Sequence, residues 1–212
     1  MEFDKDLRSI QEARDKVAKA KKAQKVLAAM DQAAIDRIVT AISQTAAAES
    51  ARLARLAVEE TGFGVAADKE VKNRFAACTL YEAIKDQKTV GVLAENKEQR
   101  TIDIGVPVGV VAALVPSTNP TSTVIYKSMI CLKAGSPVVF SPHPSALKCI
   151  LETVDVVRRA AEGAGAPPDA VSSLTTPTLK ATKTLMEHPD TRLILATGGP
   201  GMVKAAYSSG TP

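Results

Sequence analysis

Three short stretches carry residue types suited to chemistry: "PSTNP" at 116–120, "SPHP" at 141–144 and "TGGPG" at 197–201. In "TGGPG", Gly198, Gly199 and Gly201 allow tight turns and close approach of a ligand to the backbone. The amides at the start of a following helix would then face an anion or a pyrophosphate. The stretch is not GxGxxG, and a glycine turn with no ligand is the plain alternative. In "PSTNP", Pro116 and Pro120 stiffen the loop, and the Asn119 amide is suited to donate to an oxyanion. The plain alternative is an Asn that caps the helix beginning near Thr121. In "SPHP", two prolines fix the direction of Ser141 and His143. A ribose hydroxyl or a phosphate would suit them, a general base is conceivable, and a rigid polar turn is the alternative.

Thiols and imidazoles offer less. Cys78, Cys131 and Cys149 show no CxxC spacing and fall in helical patterns, as free thiols of a reducing compartment do. His143 and His188 lie far apart in sequence, so no metal site is expected. Cys131 follows "PSTNP", but it sits about three helical turns from Asn119, roughly 18 Å along the axis. It reads as a core residue.

The elements that position the three loops follow from periodicity. Helices are expected over residues 4–28, 31–60 and 67–85. Asp31 is the N-cap and Gly62 the stop of the second. Val71, Phe75, Cys78 and Ala83 form the apolar stripe of the third. "TVGVLAENKEQRTIDIG" then reads as a hairpin around a polar turn, too small to be stable alone. From Val108 the pattern alternates. "VGVVAALVP", "SPVVF", "AVSSL" and "RLILAT" are strands, and the segments between and after them are helices. Such alternation specifies a parallel α/β sheet with right-handed crossovers, a Rossmann-like fold with flanking helices. Ligands on such sheets bind at the carboxyl ends of the strands, where all three loops fall.

Composition bounds the function. Among 212 residues, 45% are hydrophobic, 24% charged and only 3% aromatic, so the core is built from Ala, Val, Leu and Ile. The net charge of +4 is mild. "RDKVAKAKKAQK" reads as a solvated helix face, and no nucleic-acid motif accompanies it. No stretch is apolar enough to span a bilayer, and the opening "MEFDKDLRSI" lacks the apolar core of a signal peptide. A cytoplasmic protein with no membrane or nucleic-acid partner is expected.

"VGVVAALVPSTNPTST", "VVFSPHPSA", "LMEHPDTRLILATGGPGMVKAAYSSG" and "DLRSIQEARDKVAKAKKAQ" together resemble the aldehyde dehydrogenase superfamily, and within it the coenzyme A-acylating branch. The resemblance runs along essentially the whole chain. It implies conversion of a small aldehyde, NAD and coenzyme A to an acyl-CoA and NADH, or the reverse. A cysteine thiolate attacks the aldehyde, hydride passes to the nicotinamide, and the coenzyme A thiol takes the acyl group. The acetaldehyde type is the expected parent enzyme.

By the same resemblance, Asn119 matches the asparagine that helps hold the oxyanion. Ser141 falls where hydrolytic members place a ribose-contacting lysine. With His143 beside it, this resembles the acylating branch and leaves NAD against NADP open. Thr197, Gly198, Gly199, Gly201 and Met202 match the turn near the pyrophosphate, and Thr178 and Thr182 match positions near the adenine. The family nucleophile lies downstream, so the chain is expected to be the nucleotide-binding half of a longer enzyme, inactive alone. Residues 1–88 would be its helical part, 89–106 the strands that join subunits of a dimer or tetramer, and 107–212 the core that binds NAD and coenzyme A. A stand-alone dinucleotide- or coenzyme A-binding module, a non-catalytic subunit and a place in a bacterial microcompartment stay open.

Overall fold

The computed structural model describes residues 4–212. The reading of residues 1–3 as part of a charged opening lies outside the described residues. Strands β3 (Val110–Val115), β4 (Val138–Pro142), β5 (Val171–Ser173) and β6 (Thr191–Ala196) form one sheet in the order β5-β4-β3-β6, with every pairing parallel. β3, β4 and β5 are buried along their whole length; β3 and the start of β4 (Val138, Val139, Phe140) read as unbroken apolar runs for that reason, whereas β5 carries Ser172 and Ser173 inside. β6 and β5 are the two edge strands, and of these β6 is partly exposed.

The pleat divides β3 between two cores. Val111, Ala113 and Val115 join Ile35, Ile38 and Ile42 of α2 (Gln32–Ala48), together with α6 (Pro120–Lys133) and α7 (Leu147–Gly163). Val110 and Ala112 face Ala13, Val17 and Ala20 of α1 (Lys5–Leu27) and Leu185 of α8 (Leu179–Met186). Helices therefore cover both faces. Lys19, Lys22 and Lys25 point to solvent from the far side of α1, as a solvated face should.

Two helical expectations change. The 31–60 segment starts as expected, with Asp31 accepting from the Ala34 amide, and ends at a left-handed Gly62. It is kinked at Glu49 into α2 and α3 (Ser50–Thr61). The buried Ser50 hydroxyl donates back to the Ala46 carbonyl at 2.8 Å, a bond that bends helices. The 67–85 segment is α4 (Ala66–Arg74), a π-helical turn (Phe75–Thr79) and α5 (Leu80–Ile84). Its expected apolar stripe faces the wrong way. Val71 and Phe75 are 66% and 63% exposed, Ala83 is exposed and Cys78 is half-buried, while Lys69, Asn73, Ala76 and Ala77 are inside. The side chains that α4 turns inward are polar: Lys69 bonds the Thr118 carbonyl, and Asn73 bonds the Ser50 carbonyl and the Thr121 hydroxyl, so apolar periodicity could not find this inner face.

The hairpin is present as β1 (Gly91–Asn96) and β2 (Thr101–Gly105), which among the described residues pair only with each other. Its turn is set by Asn96, whose Oδ1 accepts from the Gln99 amide at 3.0 Å.

Candidate functional site

Sheet register brings the three loops together. Leu114 pairs with Ser141 on one side and Ala196 on the other, so β3, β4 and β6 end side by side. The loops that follow wall a cavity of about 470 Å³ at the carboxyl ends of the strands. Asn119, Ser141, His143, Thr178, Thr182, Thr197, Gly198, Gly199 and Met202 all line it. Gly201 does not; it lines the adjoining groove with Leu179, Thr182 and Met202. Ten residues spread over 84 positions of sequence thus converge on one place, with one displaced to its rim.

The glycine turn differs from its sequence reading. Gly199 is the N-cap of α9 (Pro200–Tyr207) with φ −70°, and none of Gly198, Gly199 and Gly201 has a positive φ. A tight left-handed turn is not what these glycines supply. They supply space. No atom lies within 4 Å of a Cβ placed at Gly199 or Gly201, whereas one at Gly198 would meet the Met202 side chain at 3.3 Å. α9 has no side-chain cap and Pro200 brings no N–H; the Met202 amide bonds the Gly199 carbonyl at 3.0 Å, which leaves the Gly201 amide as the one in the first turn without a partner among the described residues. Thr197 is held from behind, its Oγ1 3.1 Å from the Tyr126 hydroxyl.

Asn119 occupies the N-cap position of α6 without capping it. Its Oδ1 accepts from Lys72 Nζ at 3.0 Å, and its Nδ2 has only Thr118 Oγ1, at 3.5 Å. The capping alternative is thereby replaced by an amide whose donor end is nearly unengaged.

Ser141 and His143 sit differently. Ser141 is buried, and its hydroxyl shares a 2.8 Å hydrogen bond with Thr182 Oγ1. His143 is exposed and lines the cavity, and its Nδ1 accepts from the Ser145 amide at 3.2 Å, which leaves Nε2 as the ring nitrogen without a hydrogen-bond partner among the described residues. Thr178 caps α8, its Oγ1 accepting from the Ala181 amide at 3.0 Å and sharing a 2.8 Å bond with Ser9 Oγ. Thr182 donates to the Thr178 carbonyl. Both threonine hydroxyls are therefore committed within the protein, and these residues shape the wall rather than offer free polar groups.

Sequence reasoning missed the lysines that hold this edge. Lys127 of α6 is 1% exposed, and its Nζ donates to the carbonyls of Leu114 and Leu195 at 2.7 and 2.6 Å, tying β3 to β6. Burial pushes its amine down to about 7. A lone charge inside "STVIYKSMI" was the available signal. Lys69 is 5% exposed and donates to the Thr118 carbonyl at 2.7 Å; burial and the like charge of Lys72 hold its amine below the usual range.

The thiols stay out of the site. No cysteine lines the cavity. Cys131 and Cys149 are buried, and desolvation pushes both up to about 12; Cys149 Sγ donates to the Ala146 carbonyl. Cys78 lies in the π turn. Among the described residues, no helix is long and apolar enough to cross a membrane.

The sequence profile of the aldehyde dehydrogenase family matches residues 7–211. The bifunctional aldehyde-alcohol dehydrogenase of Escherichia coli K12 is 48% identical over 196 residues, 92% of this chain and 22% of that protein. An acetylating aldehyde dehydrogenase from Geobacillus thermoglucosidasius superposes with a TM-score of 0.98 at 55% identity, covering 100% of this chain and 47% of its own. A Rhodopseudomonas palustris propionaldehyde dehydrogenase, solved with bound CoA and an acylated cysteine, is 33% identical with a TM-score of 0.78, over 94% of this chain and 45% of its own. An engineered glycolyl-CoA reductase with bound NADP+ gives the same TM-score and identity, covering 94% and 45%. The chain thus spans less than half the length of the proteins it matches.

Proposed function

Because this chain belongs to the aldehyde dehydrogenase family, we propose that it is the nucleotide-binding part of a coenzyme A-acylating aldehyde dehydrogenase of the acetaldehyde type, with the nucleophilic cysteine supplied from outside these residues. The observation that carries this reading is the convergence of Asn119, His143, Thr197 and Gly199 on one cavity at the carboxyl ends of parallel strands. Relatives solved with CoA and with NADP+ support the cofactor classes, NAD(P) and coenzyme A.

The residues present fit a dinucleotide. The open space at Gly199 lets a pyrophosphate approach the backbone, and the uncapped start of α9 favours an anion. Thr197 follows the end of β6 beside this turn, and His143, its Nδ1 already engaged, has Nε2 left for a ribose or phosphate oxygen. Bound NAD would supply the hydride acceptor and coenzyme A the acyl acceptor. Asn119 lines the cavity with its Oδ1 taken by Lys72, which leaves Nδ2 as the end that would stabilise a developing oxyanion. In the same reading, residues 1–88 are the helical part of the nucleotide-binding domain, 89–106 join subunits of a dimer or tetramer, and 107–212 are the core that binds NAD and coenzyme A.

The buried thiols support an external nucleophile. Thiolates are what attack, and Cys131 and Cys149 are held far from ionising. The 212-residue chain is therefore expected to produce no NADH from acetaldehyde or propionaldehyde with coenzyme A and NAD. Turnover above background that disappears in Cys131→Ser would overturn this assignment.

A further inference from the structure

We propose that Lys72 decides which end of the Asn119 amide reaches the cavity, an inference that rests on Asn119 being the oxyanion donor. An asparagine side chain ends in one acceptor and one donor group. Only the N–H end stabilises a negative oxygen; the Oδ1 end would repel it. Asn119 also sits where the wrong orientation is attractive. At the N-cap of a helix, Asn ordinarily turns Oδ1 onto the second or third amide, here those of Thr121 and Ser122. That bond is not made.

Lys72 accounts for the difference. An ammonium has three donors and no acceptor, so its 3.0 Å contact can be made only with Oδ1. Oδ1 is drawn off α6 toward α4, and Nδ2 is left with a single partner at 3.5 Å. The ammonium also pulls electron density from the amide, which strengthens its remaining N–H donors.

The frame around the pair is rigid. Lys69 Nζ donates to the Thr118 carbonyl, and Thr121 Oγ1 donates to Asn73 Oδ1, both at 2.7 Å. Asn73 is fully buried and donates to the Ser50 carbonyl at 3.0 Å. α4 thus grips the loop on both sides of residue 119, and Lys72 is carried to it on a fixed helix. α4 turns Lys69 and Asn73 inward and leaves Val71 outside, and Phe75, at the start of the π turn that follows, is outside as well.

The test reads the amide itself. In ¹H–¹⁵N NMR spectra of the 212-residue chain, Lys72→Met is expected to shift the Asn119 side-chain NH2 signals. It should also move the Thr121 or Ser122 backbone N–H downfield, as Oδ1 swings back to cap α6. Lys72→Arg, which also carries donors only, should leave both near their wild-type positions. Lys72 is exposed, so a lysine serving only the fold would give no such paired shift, and the melting temperature should not fall in Lys72→Met. Unmoved Asn119 and Thr121/Ser122 signals in Lys72→Met, or equal movement in Lys72→Arg, would overturn the inference. NAD titration of the same samples keeps the two claims apart. Binding with no change in the amide signals sinks only the role of Lys72. Failure of the wild type to bind NAD sinks the cofactor-site reading, while the amide result still decides the orientation.

Discussion

A lysine ammonium with no carboxylate beside it is costly to bury, and Lys127 is such a residue. Its two bonds to the ends of β3 and β6 satisfy two donors, which is all that a neutral amine has. This agrees with the lowering of its proton affinity by burial, which outweighs the opposing effect of Cys131. The pH consequence has a definite sign. An unfolded lysine titrates at about 10.4, the folded one at about 7. Between these values the unfolded chain holds a proton that the folded chain has released, so stability rises with pH. The slope approaches about 1.4 kcal/mol per pH unit. Below about 7 the full cost is present. Urea denaturation at several pH values should show wild type gaining on Lys127→Met between about pH 7 and pH 10, and parallel curves would contradict this. Why retain a costly amine? Lys127 and its neighbour Tyr126 hold Leu195 and Thr197, so two consecutive residues of α6 fix the strand end from which the glycine turn departs.

At the scale of elements, the hairpin is the conspicuous feature. Val92 lies opposite Ile104, and Ile102 is two residues along the same face. These side chains are 48%, 59% and 57% exposed. An apolar face on an unpartnered two-stranded sheet suits a contact with another subunit. The chain is expected to self-associate, and the double substitution Ile102→Lys/Ile104→Lys should reduce its mass in light scattering to that of a monomer while leaving its circular dichroism intact. A monomeric wild type, or an unchanged oligomer in the variant, would count against the assignment. This hairpin was legible in the sequence because two β-like runs flank a polar turn. The sheet was legible from the apolar runs of β3, β4 and β6, with β5 the weakest because Ser172 and Ser173 interrupt it, and the three loops because Pro, Gly and Asn stand where those runs stop. α4 was not, because its inner face is polar, with Lys69 and Asn73 inside and Val71 and Phe75 outside. The Ser141–Thr182 bond was equally hidden, since its partners are 41 residues apart and only the packing of α8 against the sheet brings them together.

On the scale of the whole molecule, one parallel sheet covered by helices on both faces presents a single edge where β3, β4 and β6 end, and the candidate residues gather there. The cofactor-binding claim turns on that edge being open to a dinucleotide, and Gly199 offers a clean probe of it. Its φ of −70° suits any residue, and no atom lies within 4 Å of an added Cβ, so Gly199→Trp should fold normally while filling the space beside the α9 start. Calorimetric titration of NAD into the 212-residue chain is the most direct measurement. The account predicts saturable binding by the wild type and its loss in Gly199→Trp, with the melting temperature of the free protein unchanged. Equal NAD affinity in the two proteins would contradict it.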